Sequence, residues 1–174
     1  MRRLIAIAAA LAGLAGVPVA AQERVSDQLA LARVACSEAG LLATEDEIAA
    51  LGAVLRSRCD RCSIATVARQ YSSRVFDRDR RDSRAWVAFL EPSGREPAHW
   101  PSVARWSAYR DRWLWIYETA GRVVRGEIDH RCDAPVHHWG GDMDTHRAER
   151  AGWERVDCGD TRNTYWRVPA RGEG

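Results

Sequence analysis

The residues with the greatest chemical capacity lie in the last third of the chain. Two histidines, His137 and His138, precede Trp139 between Cys132 and Cys158. Histidine nitrogens can exchange hydrogen bonds with a ligand, and an indole ring offers a flat apolar face. A disulfide between the two cysteines would close this region into a loop. The pattern predicts a stapled, ligand-facing surface, and it leaves open whether the ligand is a sugar, a metal ion or neither.

A second candidate for chemistry is Glu38, at the predicted end of the first helix and just before Gly40. The negative end of the helix dipole and partial burial would both raise the pKa of a carboxyl group there, which suits a general acid for glycosidic cleavage. An ordinary exposed glutamate at a helix end is the alternative. Classical glycosidases also need a second carboxylate, and nothing selects one from Asp77, Asp79, Glu91 and Asp133.

A zinc hydrolase is the competing enzyme class. Suitable ligand types crowd into one Gly-containing loop: His137, His138, Asp142, Asp144 and His146. They lack a helical His-x-x-x-His pair, and the alternative is that His138 hydrogen-bonds within the loop while 142–146 stays solvated. We therefore expect no metal and no cofactor.

A third hypothesis is a secreted module without turnover. Exposed indole rings of Trp139, Trp153 and Trp166 would then bind a glycan or a partner protein. A Glu38→Gln variant separates this hypothesis from the enzyme, because a binding module should tolerate that change.

Five cysteines in an exported chain predict two disulfides and one remaining thiol. Cys132 with Cys158 is the expected first pair, and Cys36 with Cys59 or Cys62 the second. The Cys59–Cys62 spacing also resembles a redox or zinc half-site, but no second cysteine pair completes a zinc set.

Export is predicted by the N-terminus. A basic start, an apolar run and small residues at 19–21 are typical of a signal peptide over residues 1–21, with cleavage before Gln22. Residues 22–174 then form one periplasmic or secreted domain, expected to be a monomer without membrane insertion.

Removal of Arg2 and Arg3 from 26 basic residues leaves 24, which equals the 24 acidic residues. Interleaved charges of both signs argue against nucleic-acid binding.

The periodicity predicts a mainly α (α+β) fold with a small irregular or extended C-terminal part. Caps are expected at Ser63, at Ser83 and at Thr44, where Glu47 completes a capping box. In the long Trp-rich helix, Trp106 and Trp113 are assigned to packing and Trp115 is left open. Helices are expected over 26–38, 44–58, 63–70, 84–90 and 102–125, the first two as a hairpin, with an extended run over 164–168.

Five segments together resemble a known family. Glu38 lies in the first of them, a Ser-Glu-Ala-Gly element at 37–40. It is followed by the helix 47–58, Gln-Tyr-Ser at 70–72, the segment 134–139 and a closing Arg-Asn-Thr-Tyr-Trp at 162–166. In type and order these are similar to the elements of cell-wall hydrolases of the spore-cortex-lytic type. The chain departs from the family at 40–42, where Gly-Leu-Leu replaces Arg-Gly-Glu.

The resemblance implies a lysozyme-like fold that cleaves peptidoglycan glycan strands between N-acetylmuramic acid and N-acetylglucosamine, as a muramidase or lytic transglycosylase. Glu38 would be the catalytic acid/base, and one carboxyl group suffices if the muramoyl 6-hydroxyl attacks internally. The implied cleft residues are Tyr71, Ser72, His138, Trp139 and Tyr165.

Overall fold

The computed structural model describes residues 25–72 and 103–169, and the side chains within them except at 103–109 and 142–143. The described chain is mainly helical with one small sheet, which confirms the predicted mainly α (α+β) class. Its elements are α1 (Asp27–Ala39), a 3-10 turn (Gly40–Leu42), α2 (Glu45–Ser57), α3 (Ile64–Tyr71), α4 (Val103–Val124), β1 (His138–Gly140), α5 (Asp142–Arg150), β2 (Glu154–Val156) and β3 (Thr164–Arg167).

Several sequence predictions fall outside the described residues. The signal peptide 1–21 with its cleavage before Gln22, the helix 84–90 and the carboxylates Asp77, Asp79 and Glu91 are among them. The side chains of Trp106 and Asp142 are outside as well. None of the helices in the described ranges is long and apolar enough to cross a membrane.

Two helix starts within the described residues were predicted from capping residues, at Thr44 and Ser63, and both are confirmed. The cap predicted at Ser83 lies outside the described residues. The first helix, predicted to start near Ser26 from its apolar stripe, does begin there. The hydroxyl of Ser26 accepts a hydrogen bond from the Leu29 amide at 3.2 Å. Thr44 and Ser63 cap α2 and α3 in the same way, each at 3.1 Å. These bonds satisfy backbone N–H groups that have no partner within the helix, so local sequence was enough to define the boundaries.

Helix α1 is the central element of the core. It packs against α2, α3 and α4, and its residues from Leu29 to Cys36 are all buried. A helix that is apolar nearly all round belongs inside a protein. Trp113 of α4 is fully buried, as predicted, whereas Trp115 is partly buried.

The C-terminal region forms a three-stranded antiparallel sheet in the order β1-β3-β2. His138 faces Trp166 and Trp139 faces Tyr165 across β1 and β3. The extended run was predicted. The loop expected over 142–146 is wrong, because these residues begin helix α5. The sequence of α5 is strongly polar, which led to the prediction of a solvated loop, but the helix packs against β1 and β3 and buries Ala148.

The disulfides agree with one expectation and contradict the other. Cys132 and Cys158 are joined, as predicted. The second bond joins Cys59 to Cys62, so the predicted pair of Cys36 with Cys59 is wrong. Cys36 is a buried free thiol on α1, and burial raises its pKa. Cys59 and Cys62 lie in the turn between α2 and α3, and their Cα atoms are 5.3 Å apart. The turn therefore brings these two thiols together without any contribution from Cys36.

Candidate functional site

Glu38 is the penultimate residue of α1. Its predicted position at a helix end is confirmed, and Glu38 is exposed, which agrees with the alternative of an ordinary surface glutamate and not with a partly buried acid. Gly40 follows with φ of 69°, a left-handed conformation that glycine adopts without strain, and the chain turns there into the 3-10 segment. The carboxyl group therefore stands at the surface where α1 ends.

The turn after Glu38 is held by α4. Nε of Arg112 donates to the carbonyl of Leu41 at 2.8 Å, and an Nη donates to the carbonyl of Ala43 at 2.5 Å. The guanidinium carbon also lies 3.9 Å from the centre of the Trp115 ring. Arg112 thus connects the α1–α2 turn to α4 and limits the freedom of the segment that carries Glu38.

Glu47 anchors the closing motif at 162–166. Its side chain is fully buried, and its carboxylate accepts from the backbone amides of Arg162 and Asn163. It also accepts from Nδ2 of Asn163 at 2.9 Å and from the hydroxyl of Tyr165 at 2.6 Å. The capping box predicted this residue as a partner of Thr44, and the Glu47 amide does bond Thr44, but the carboxylate has a long-range role with no local signal.

The first turn of α2 holds the same segment at further points. The Thr44 hydroxyl donates to the carbonyl of Asp160, and Asp46 accepts from the Asp160 amide at 3.0 Å. Asp46 also pairs with Arg131 at 3.4 Å. The helix that follows Glu38 is therefore fastened to the segment that leads into β3.

Tyr165 is an anchor and not an open cleft hydroxyl. It is buried, and burial raises its pKa, with the negative charges of Glu47 and Glu38 adding to the shift. Trp166 is also buried, so the exposed indole expected there is wrong.

Three of the predicted cleft residues, Tyr71, His138 and Trp139, meet around Arg58. We call the set Arg58, Tyr71, His138, Trp139 and Trp153 the Arg58 cluster. The guanidinium carbon of Arg58 lies 3.9 Å from the Tyr71 ring centre and 5.3 Å from that of Trp139. An Nη of Arg58 lies 3.3 Å from Nδ1 of His138, whose ring stacks on Trp153 at 4.0 Å. Sequence reasoning gave Arg58 no role in a site, although Arg58 is the last residue of the segment 47–58 that contributes to the family resemblance.

The electrostatics of the Arg58 cluster favour a neutral imidazole. Burial lowers the pKa of His138, and the positive charge of Arg58 lowers it further. Burial also lowers the pKa of Arg58, which nonetheless stays a cation at neutral pH. His138 therefore accepts a hydrogen bond from Arg58 through Nδ1.

Ser72 follows Tyr71 but is buried, and its hydroxyl has no hydrogen-bond partner among the residues that the structure describes. Asp133, the other candidate carboxylate within the described ranges, is exposed and accepts from the Asp157 amide at 3.2 Å. Neither residue meets a further candidate group there.

The described side chains of the proposed zinc set point to other partners. Nδ1 of His137 accepts from the Val168 amide, His138 bonds Arg58, and His146 pairs with Glu149. Over the described part of the chain, no three His, Cys, Asp or Glu side chains are grouped as metal ligands are. This geometry disfavours the zinc hypothesis.

Comparison with protein-family models, curated proteins and solved structures gives no match to this chain.

Proposed function

We propose that this protein is an exported enzyme that cleaves the glycan strands of peptidoglycan, with Glu38 as general acid and base. The observation that carries the proposal is an exposed carboxyl group at the end of the buried helix α1, next to a turn that Arg112 ties to α4. The buried carboxylate of Glu47 in the next helix binds the segment 162–165. Such a frame keeps a reactive group in place while its outer side stays open to a long polymer.

In the proposed reaction, Glu38 donates its proton to the glycosidic oxygen as the bond to the muramic acid carbon breaks. The resulting carboxylate then accepts a proton from the attacking hydroxyl. If that hydroxyl belongs to water, the product has a reducing end; if it is the muramoyl 6-hydroxyl, the product is a 1,6-anhydro sugar. A bound glycan would exclude water from Glu38 and favour its protonated form.

The test is incubation of purified protein with peptidoglycan sacculi, followed by mass spectrometry of the released material. We expect Glu38→Gln to reduce muropeptide release by about 100-fold or more, since the amide cannot transfer the proton. Glu118→Gln is the matched control, because it removes an exposed carboxylate from α4. Release that is equal in the wild type and the folded Glu38→Gln variant would reject Glu38 as the acid.

A binding module is the second candidate, and the Arg58 cluster favours it, since Tyr71 presents a ring that is 54% exposed. Retention of the protein on sacculi without any release would support this alternative. Release of stem peptides that stops when a chelator is added would instead support the zinc hydrolase.

A further inference from the structure

The Arg58 cluster contains a cation that is only partly satisfied. A guanidinium carries five N–H donors. Within the described residues, Arg58 bonds His138 through one Nη, its guanidinium lies over the Tyr71 ring, and its Nε is buried without a partner. N–H groups are therefore left over for a further acceptor.

Among the residues that the structure describes, none supplies a compensating negative charge to Arg58. None of the salt bridges found among the described residues involves it, and no carboxylate contributes to its pKa shift. Arg147 of α5 acts on the neighbouring His138 as a second positive charge. A partly desolvated cation of this kind gains most from an anionic ligand, because much of its hydration is already lost.

The rings around Arg58 restrict the kind of anion. Tyr71 and Trp139 lie near the guanidinium, and Trp153 covers His138. A planar carboxylate matches the fork of an arginine, and aromatic faces accommodate the apolar part of a sugar or peptide. The cluster thus suits a carboxylate carried on a partly apolar ligand.

We propose that the Arg58 cluster binds a carboxylate on the muramic acid side of peptidoglycan, supplied either by the lactyl group or by an acidic stem peptide. This inference rests on the proposed function, and it adds a recognition site distinct from Glu38. It means that the protein distinguishes peptidoglycan from uncharged N-acetylglucosamine polymers by charge.

The test measures binding by calorimetry in the Glu38→Gln background, so that no ligand is cleaved. Three probes are used: an N-acetylglucosamine–N-acetylmuramic acid disaccharide with a free lactyl carboxylate, the same disaccharide with a dipeptide ending in glutamate, and chitobiose, which has no carboxylate. We expect Arg58→Gln to weaken binding of at least one acidic probe by about tenfold, with chitobiose unchanged. The probe that loses affinity identifies the source of the carboxylate.

Arg61→Gln is the matched control, because Arg61 is exposed in the nearby Cys59–Cys62 turn and its loss changes the net charge equally. Circular dichroism checks the fold of each variant. If Arg58→Gln does not fold, Arg58→Lys and Tyr71→Ala take its place, because they keep the charge or change an exposed ring.

The proposal would be overturned if folded Arg58→Gln, or Tyr71→Ala in its place, bound both acidic probes with the same affinity as the parent Glu38→Gln protein. An equal loss of affinity in Arg61→Gln would also overturn it. Cleavage of sacculi in that case would leave the proposed function intact. Conversely, Arg58-dependent binding without any cleavage by the wild type would support the carboxylate site and reject the enzyme. Failure of every probe to bind would reject this site whatever the sacculi assay gives.

Discussion

Single side chains connect regions that are far apart in the chain, and Glu47 does so at the candidate site. Its one carboxylate receives two backbone amides, an amide side chain and a phenol from the segment 162–165. A buried acceptor with four donors holds its partners in a defined geometry, because each donor would be left unsatisfied without it. The position of this segment against α2 therefore depends on a residue that takes no part in the proposed reaction.

We expect Glu47→Gln to lower the free energy of unfolding by about 3 kcal/mol, since the new amide group would oppose donors that the carboxylate accepts. Glu45→Gln is the control on the same turn. Glu45 makes a surface pair with Arg122 at 3.3 Å, and its loss should cost less than about 1 kcal/mol. Urea unfolding of both variants measures the difference, and equal losses would mean that the Glu47 network contributes little.

Helices α1, α2 and α4 meet closely at Gly52. A Cβ atom on Gly52 would lie 2.9 Å from Cγ1 of Val123 and 3.4 Å from Cδ2 of Leu31. The absence of a side chain lets α2 approach α4 at this point. Arg56 then donates to the carbonyls of Val123 and Val124 at 2.9 and 3.1 Å, which satisfies the end of α4.

Gly52→Val should therefore destabilise the protein by about 2 kcal/mol through overpacking, even though valine favours a helix more than glycine does. The check is a double-mutant cycle with Val123→Ala, read by chemical unfolding. Gly52→Val should cost less in the Val123→Ala background, because the facing methyl groups are gone. The same cost in both backgrounds would contradict a direct contact.

The described chain as a whole carries two disulfides with different spans. Cys132 and Cys158 are 26 residues apart, and the loop between them contains β1, α5 and β2. Cys59 and Cys62 are three residues apart in one turn. The first bond thus constrains most of the sheet, whereas the second constrains only the α2–α3 connection.

Replacing Cys132 and Cys158 by alanine should lower the free energy of unfolding by about 3.5 kcal/mol, and replacing Cys59 and Cys62 by about 2 kcal/mol, since loop-closure entropy grows with loop length. Urea unfolding of the two double variants gives both values. Cys36→Ala serves as the cysteine control that breaks no bond. A larger loss in the short-loop variant would show that chain entropy does not govern these disulfides.

The amino-acid sequence determined the parts of this protein that depend on neighbours three or four residues apart. Ser26, Thr44 and Ser63 begin their helices, Trp113 packs in the core, and the extended run lies close to where alternation predicts it. These features follow from backbone hydrogen bonding and periodicity, which act within one element.

Tertiary structure decided which partners the side chains meet. The carboxylate of Glu47 binds the segment 162–165, Cys36 is a buried free thiol, and Tyr165 is buried. Arg58 gathered Tyr71 and His138 from separate segments. Such contacts depend on how helices and strands pack in space. Arg58 and His138 are 80 positions apart and Glu47 and Arg162 are 115 apart, so no local sequence pattern predicts that they are in contact.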